Sequence, residues 1–113
     1  MLARTTAAAC CARLDFDVER LDDVRLAVDE VVGLLIGQAD PGTDIECVFA
    51  PYDDGRLDIT VSATSDGGTL PASSSFAWAV LTALVDDVTA TVDASAVTVV
   101  LRTSRAASAT VEA

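Results

Sequence analysis

The amino-acid sequence predicts an α+β fold, a two-layer sandwich in which helices cover one face of a mostly antiparallel sheet. Two long segments carry apolar residues at helical spacing, and shorter segments between and after them alternate between apolar and polar residues. An Asp-Gly pair joins the first two alternating segments, and this pair is a common hairpin turn. Strands joined in this way pair antiparallel, and the helices then pack together on the apolar face of their sheet.

The clearest helix is predicted from Val18 to Ile36. Asp17 is expected to cap its first turn, and Gly37 is expected to end it. The Ala-rich segment from Leu2 to Leu14 is predicted to form a second, weaker helix. The longer helix has an apolar stripe that repeats every three or four residues: Val24, Val28, Val31 and Leu35.

The middle of the chain has the period of strands. Residues 44–49 and 57–64 alternate between apolar and polar side chains, and Asp54-Gly55 lies between them. Residues 97–101 alternate in the same way, and a shorter strand is predicted over 88–92. Alternation of this kind predicts that one sheet face meets the core and the other meets water or a partner.

A polar loop from Ser65 to Ser75 precedes the last predicted helix, which extends to Val88. One of the serines at positions 73 to 75 is expected to cap it. We expect residues 1–103 to form a single domain and residues 104–113 a loose tail. The predicted core comprises Val24, Val28, Val31, Leu35, Ile59, Val61, Leu81, Leu84, Val99 and Leu101.

Charge excludes several kinds of function. The chain has 18 Asp and Glu residues, seven Arg, and neither Lys nor His, which gives a net charge of −11. A P-loop lysine, a Schiff base, an imidazole base and a His-ligated metal are therefore excluded. So acidic a chain is not expected to bind nucleic acid or an anionic membrane, since both require a cationic surface. No metal site is predicted.

The cysteines and the hydropathy bear on localisation. Cys10, Cys11 and Cys47 are an odd number without the spacing of a zinc site. They are expected to be buried or half-buried free thiols in a reducing cytoplasm. No stretch approaches the roughly 20 apolar residues that a membrane-spanning helix needs.

Glu30 is the most suggestive single residue. On a helical wheel it lies at the edge of the apolar stripe, and Gly33 and Gly37 leave space on the same side of the helix. A ligand could approach a carboxylate in that position. The alternative is an ordinary solvated acid on the surface of a helix.

Two segments resemble bacterial anti-sigma factors, which are serine-protein kinases with the histidine-kinase-like (GHKL) ATPase fold. The segment Asp23–Glu30, DVRLAVDE, resembles the N-box helix of that family. The segment Ser75–Val88, SFAWAVLTALVDDV, resembles the family's last helix. Both occur in the family's order with a hairpin between them. The resemblance covers residues 2–103 and implies the same two-layer sandwich.

The resemblance implies a function and site residues. Members hold ATP with Mg²⁺, bind a sigma factor, and in many cases phosphorylate a serine of an anti-anti-sigma protein. Glu30 corresponds to the general base, and Asp66 and Gly68 are the candidates for contacts on the adenine side. Asp86 and Asp87 are candidates for partner binding, because they are expected at the unfavourable carboxyl end of the last helix.

The nucleotide-binding pattern of the family is altered in this sequence. Leu34 occupies the position of the magnesium-binding asparagine, and a leucine has no oxygen to offer the ion. Ala63 occupies the simplest position for the adenine-binding aspartate, and residues 73–76 replace a glycine-rich lid. Members also begin with a strand before the first helix. We therefore expect a sheet with one strand fewer and an open edge, although a misassigned start or a shortened chain would give the same sequence.

Three functions are compatible with these observations. The leading hypothesis is an anti-sigma regulatory protein that sequesters an alternative sigma factor by binding and uses ATP weakly or not at all. The alternative is an active ATP-dependent serine kinase that acts on an anti-anti-sigma partner. A third is a remnant domain without either activity, and the sequence leaves the presence of a homodimer open.

Overall fold

The computed structural model describes residues 2–70 and 74–104. The helices in this part of the chain are α1 (Leu2–Arg13), α2 (Val18–Ile36) and α3 (Phe76–Leu84). The strands are β1 (Ile45–Pro51), β2 (Arg56–Thr64), β3 (Asp87–Val92) and β4 (Ala96–Ser104). This arrangement confirms an α+β fold and the predicted order of the elements. None of the described helices is long and apolar enough to cross a membrane.

The strands form one sheet in the order β1-β2-β4-β3, and each neighbouring pair is antiparallel. The chain therefore builds two hairpins, β1–β2 and β3–β4, and joins them by pairing β2 with β4. Val61 lies at the centre of the sheet, opposite Cys47 on one side and Val99 on the other. Both outer strands are short, as edge strands commonly are.

The core lies between α2 and the inner face of the two central strands. Every second residue of β2 from Leu57 to Ala63 is buried, and so is every second residue of β4 from Val97 to Thr103. Nine of the ten predicted core residues are buried. The exception is Leu84, which is only partly buried against the core because it is the last residue of α3.

Local hydrogen bonds explain the ends of the first two helices. The Asp17 carboxylate accepts a hydrogen bond of 2.7 Å from the Arg20 N–H and caps α2, as predicted. Asp15 ends α1 in the left-handed region, with φ of 61°, which an aspartate tolerates better than most residues. The Phe16 N–H then donates to the Cys11 carbonyl, so the chain turns sharply into α2.

The prediction that the last helix reaches Val88 is wrong. Helix α3 ends at Leu84, and Val85 and Val88 are buried in an extended segment. The Asp86 N–H donates a hydrogen bond to the Arg102 carbonyl, and pairing with β4 begins at Asp87. The apolar residues repeat at helical spacing, but pairing with β4 favours the extended backbone. The predicted tail begins within β4 at Ser104, and residues 105–113 lie outside the described residues.

Candidate functional site

Glu30 lies on α2, where its side chain is half-buried at the edge of the core. Gly33 is exposed one turn later, and a Cβ atom placed on it would meet nothing within 4 Å. Within the described residues, no side chain forms an ion pair or a hydrogen bond with the Glu30 carboxylate. The geometry therefore agrees with the predicted open space beside this carboxylate.

Leu34 lies one turn after Glu30 and has an apolar side chain. Its side chain is partly buried and packs against the hydrophobic core. A magnesium ion takes oxygen ligands, so this position cannot hold one. Among residues 2–70 and 74–104, no three Asp, Glu or Cys side chains come together in a way that could hold a metal ion.

The loop after β2, which contains Asp66 and Gly68, is tied to the carboxyl end of α2. The Gln38 side-chain amide donates to the Thr69 carbonyl over 2.7 Å and accepts from the Thr69 N–H over 2.8 Å. The Asp40 carboxylate accepts from the Asp66 N–H, with both oxygens at 3.2 Å. These bonds hold the loop beyond the last turn of α2, whereas Glu30 lies about 9 Å before that end, at 1.5 Å per residue. Glu30 therefore lies in the carboxyl-terminal half of α2, and the loop lies beyond the end of that helix.

Gly68 is crowded by its neighbours. A Cβ atom at this position would lie 2.5 Å from a methyl group of Val97 and 2.8 Å from the hydroxyl of Ser65. Val97 is fully buried, and the Ser65 hydroxyl donates to the Gln38 carbonyl over 2.8 Å. Close packing against the sheet therefore explains why glycine is present here, without a nucleotide.

Helix α3 follows this loop in the sequence and begins at Phe76. Ser75 caps the helix by accepting a hydrogen bond of 3.1 Å from the Trp78 N–H, in agreement with the prediction that a serine would do so. Ser73, which was an equal candidate, lies outside the described residues. Phe76 follows the cap with 85% of its surface exposed, which is unusual for an aromatic side chain of this size.

The two acidic residues proposed for partner binding have different surroundings. Asp86 forms an ion pair with Arg20 and accepts a hydrogen bond of 3.0 Å from the Ser104 hydroxyl. Arg20 also donates to the Ser104 carbonyl over 3.0 Å. Asp87 is exposed at the start of β3. Because α3 ends before both residues, the expected conflict with its dipole does not arise.

Burial controls the chemistry of the cysteines. Cys11 is fully buried, and burial raises the pKa of its thiol to about 12, with the neighbouring Cys10 adding to the shift. Burial also raises the pKa of Cys47, which is half-buried. A thiolate is the reactive form of cysteine, so burial disfavours the reactive form of both thiols. All three cysteines are free, as predicted.

Sequence reasoning did not identify Arg20, Gln38 or Asp40. Gln38 and Asp40 hold the loop after β2 beyond the carboxyl end of α2, and Arg20 bonds its partners from the first turn of that helix. Each acts on a segment that is remote in sequence: Gln38 bonds a residue 31 positions later, and Arg20 bonds one 84 positions later. The only signal was position, because Gln38 directly follows the helix-ending Gly37 and Asp40 precedes the Pro41-Gly42 turn. Asp40 and its turn could have been proposed as a capping group on that ground.

Comparison with known proteins supplies the remaining observation. No family model matches the chain. The chain is 41% identical over 87 residues to the protein named Anti-sigma-F factor RsbW of Mycobacterium tuberculosis strain H37Rv, and the same holds for the protein of that name from strain CDC 1551. The matched region is 77% of this chain and 51% of the relative. The chain thus spans about half the length of the curated relatives that it matches.

Proposed function

We propose that the chain is an anti-sigma regulatory protein that sequesters an alternative sigma factor by direct protein–protein binding. The observation that carries this proposal is the 41% identity over 87 residues to proteins named Anti-sigma-F factor RsbW. The matched region is 77% of the chain, so the similarity is not confined to one short motif. It agrees with the resemblance of the α2 and α3 segments to anti-sigma factors.

The finer features of the family are part of the same proposal. We assign residues 1–103 to a single histidine-kinase-like ATPase domain, which acts in the cytoplasm. The sandwich and its fully antiparallel sheet are compatible with that fold. An anti-anti-sigma protein would release the sigma factor by competing for the same domain.

The residues present do not fit an ATP–magnesium complex. Leu34 is partly buried and packs against the core at the position where the family places its metal ligand. The space beside Gly68 is filled by Val97 and Ser65. The Asp66 N–H already donates a hydrogen bond to the Asp40 carboxylate. We therefore derive no catalytic step for this chain through ATP, and the proposed activity is binding.

Charge favours a cationic partner. A sigma factor carries basic surfaces because it must bind DNA. The net charge of −11 on this chain would steer such a protein towards it and raise the association rate at low salt. Of the two acidic residues proposed for binding, Asp87 is the better candidate, because Asp86 already has Arg20 as its partner.

The proposal is tested by measuring binding of the purified chain to each alternative sigma factor of its host, with the principal sigma factor as the control. We expect saturable binding to one alternative sigma factor, with an association rate that falls as salt increases. Asp87→Arg should lower that rate and its salt dependence while the fold is retained. Absence of binding to every alternative sigma factor would overturn the proposal.

A serine kinase is the second candidate, and one observation favours it. The Glu30 carboxylate is half-buried beside open space, as a general base would need to be. Thermal unfolding with and without Mg·ATP separates the two functions, because a ligand that binds only the native state raises the melting temperature. We expect no shift. Saturable micromolar binding of Mg·ATP, together with loss of function in Glu30→Ala, would favour the kinase instead.

A further inference from the structure

Strand β1 lies at the edge of the sheet. Within the described residues, β2 is its only neighbouring strand. The Tyr52 N–H donates to the Arg56 carbonyl beside the hairpin turn, so these two residues form a hydrogen-bonded pair. From this pair back along β1, residues whose backbone bonds to β2 alternate with residues whose backbone does not. By this alternation, the backbone N–H and C=O groups of Ile45, Cys47 and Phe49 point away from β2. They are available to a further strand.

The inner face of β1 is also incompletely covered. Ile45, Cys47 and Phe49 are half-buried, whereas the corresponding residues of β2 are 0–3% exposed. On the α1 side of this face, Ala3 and Thr6 have small side chains. A cleft of about 290 Å³ remains between the helix and the strand. It is lined by Leu2, Ala3, Thr6, Ile45, Cys47 and Phe49.

A second cleft continues along the same two elements. It has a volume of about 320 Å³ and lies between the end of α1, at Cys10 and Arg13, and the end of β1, at Pro51 and Tyr52. The two clefts share α1 on one side and β1 on the other. We call the two clefts together with the free edge of β1 the α1–β1 seam.

The outer face of the sheet is acidic at the beginning of this seam. Asp44 and Glu46 are exposed and line a shallow cleft together with Ser62 and Thr64. No described side chain forms an ion pair with either carboxylate. By contrast, Asp58 on the same face lies 3.7 Å from Arg56 and 3.6 Å from Arg102. The uncompensated negative charge is therefore at the edge.

We propose that the α1–β1 seam binds an extended segment of a cationic protein in which apolar residues alternate with Arg or Lys. Such a segment would pair with the free backbone groups of β1 and extend the sheet. Because neighbouring strands place paired side chains on the same face, its apolar residues would fill the clefts beside Ile45, Cys47 and Phe49. Its basic residues would lie on the outer face near Asp44 and Glu46.

Charge distinguishes this occupant from a second copy of the chain. Another copy would bring a further net charge of −11 to the seam. If two β1 strands paired antiparallel about Cys47, Glu46 would lie diagonally across from its own counterpart, where like charges repel. A basic segment adds no negative charge to the seam and places no second carboxylate near Glu46. The identity of the protein that supplies the segment rests on the proposed function, but the chemistry of the seam does not.

The test uses fluorescently labelled peptides as long as β1, which has 7 residues. The probe alternates valine and lysine. One control has the same composition with valine and lysine in separate blocks, and a second alternates valine and glutamate. Fluorescence anisotropy with the full chain should show saturable binding of the probe alone, which weakens as salt is raised. Amide resonances of β1 should shift on binding, and those of β3 should not.

Variants separate edge pairing from general electrostatic attraction. Glu46→Lys should weaken binding of the probe by about tenfold or more. Thr89→Lys combined with Thr91→Lys is the matched control, because it makes the same change in net charge at exposed positions on β3, at the opposite edge of the sheet. It should leave the affinity within about twofold. Cys47→Pro removes an outward N–H without removing a bond to β2, so it should abolish binding while the chain remains folded.

The outcomes are distinct. Equal binding of the blocked or the glutamate peptide would overturn the proposal, as would equal losses of affinity in Glu46→Lys and in the Thr89→Lys and Thr91→Lys double variant. A dimer in sedimentation that excludes the probe would assign the seam to a second copy and overturn the proposed occupant. If Cys47→Pro fails to fold, the affinity of Glu46→Lys for the probe still tests the proposal. Sigma-factor binding without probe binding would refute the seam alone, and probe binding without sigma-factor binding would refute the proposed function alone.

Discussion

Replacing Gly68 by alanine should destabilise the protein, although the change adds a single methyl group. The new Cβ would lie 2.5 Å from a Val97 methyl carbon and 3.0 Å from the Ser65 Cβ. Carbon atoms in contact normally lie about 3.5–4.0 Å apart, so the overlap with Val97 is about 1 Å. Val97 is fully buried and paired on both sides in the sheet, so it cannot move aside freely.

The expected cost of Gly68→Ala is about 1–3 kcal/mol, which is the range for overpacking a close-packed core. Gly33→Ala provides the matched control, because a Cβ there meets nothing within 4 Å and the residue is exposed in the last turn of α2. Alanine is a better helix former than glycine by about 1 kcal/mol, so this variant should be stabilised. The same chemical change is thus expected to lower the free energy of unfolding at Gly68 and to raise it at Gly33.

Urea unfolding followed by linear extrapolation measures both changes. The two variants should differ by about 2–4 kcal/mol, which for a domain of this size separates their melting temperatures by about 10 °C or more. Gly68→Ala within about 0.5 kcal/mol of the parent would refute the packing argument. In that case a role for Gly68 in admitting a nucleotide would regain support, and Mg·ATP binding of the variant should then be measured.

Three further perturbations have expected outcomes. Arg20→Ala should reduce the free energy of unfolding by about 1 kcal/mol, a modest value because Asp86 is partly exposed; an unchanged urea midpoint would contradict it. Thr103 is buried and its hydroxyl has no hydrogen-bond partner among the described residues, so Thr103→Val should be neutral or stabilising by up to about 1 kcal/mol in the same assay. Cys11 has a pKa raised from its ordinary value of 9.0 to about 12, so its contribution to stability is complete below pH 9 and is lost as the pH rises towards 12. Cys11→Ala should therefore make the alkaline decline in melting temperature shallower, and an unchanged decline would exclude this thiol as its source.

The sequence predicts the local structure well because the signals are local. Asp17 caps α2 and Ser75 caps α3 through side-chain bonds to backbone groups three residues later, which a sequence pattern can reveal. Alternation identifies β2 and β4 because each has one fully buried face. The end of α3 was placed wrongly because Val85 and Val88 fit both a helical and an extended pattern, and only pairing with β4 decides between them.

The candidate site depends on contacts that the sequence does not encode locally. Glu30 and its open surroundings follow from helical spacing, and they could be predicted. The attachment of the Asp66 loop to α2 requires Gln38 and Asp40 to meet residues 31 and 26 positions away, which no periodicity indicates. The Asp86 and Arg20 pair joins positions 66 residues apart for the same reason.

The strand order has a consequence for the way in which the chain folds. Each hairpin joins strands that are adjacent in sequence, so β1–β2 and β3–β4 can each form within microseconds. The central pairing instead matches Arg56 with Ser104 and Thr64 with Ala96, which requires closure of a long loop that contains α3. We therefore expect the pairing of β2 with β4 to be the slow step. Substitutions at the β2–β4 contact should change the folding rate more than substitutions in either hairpin turn.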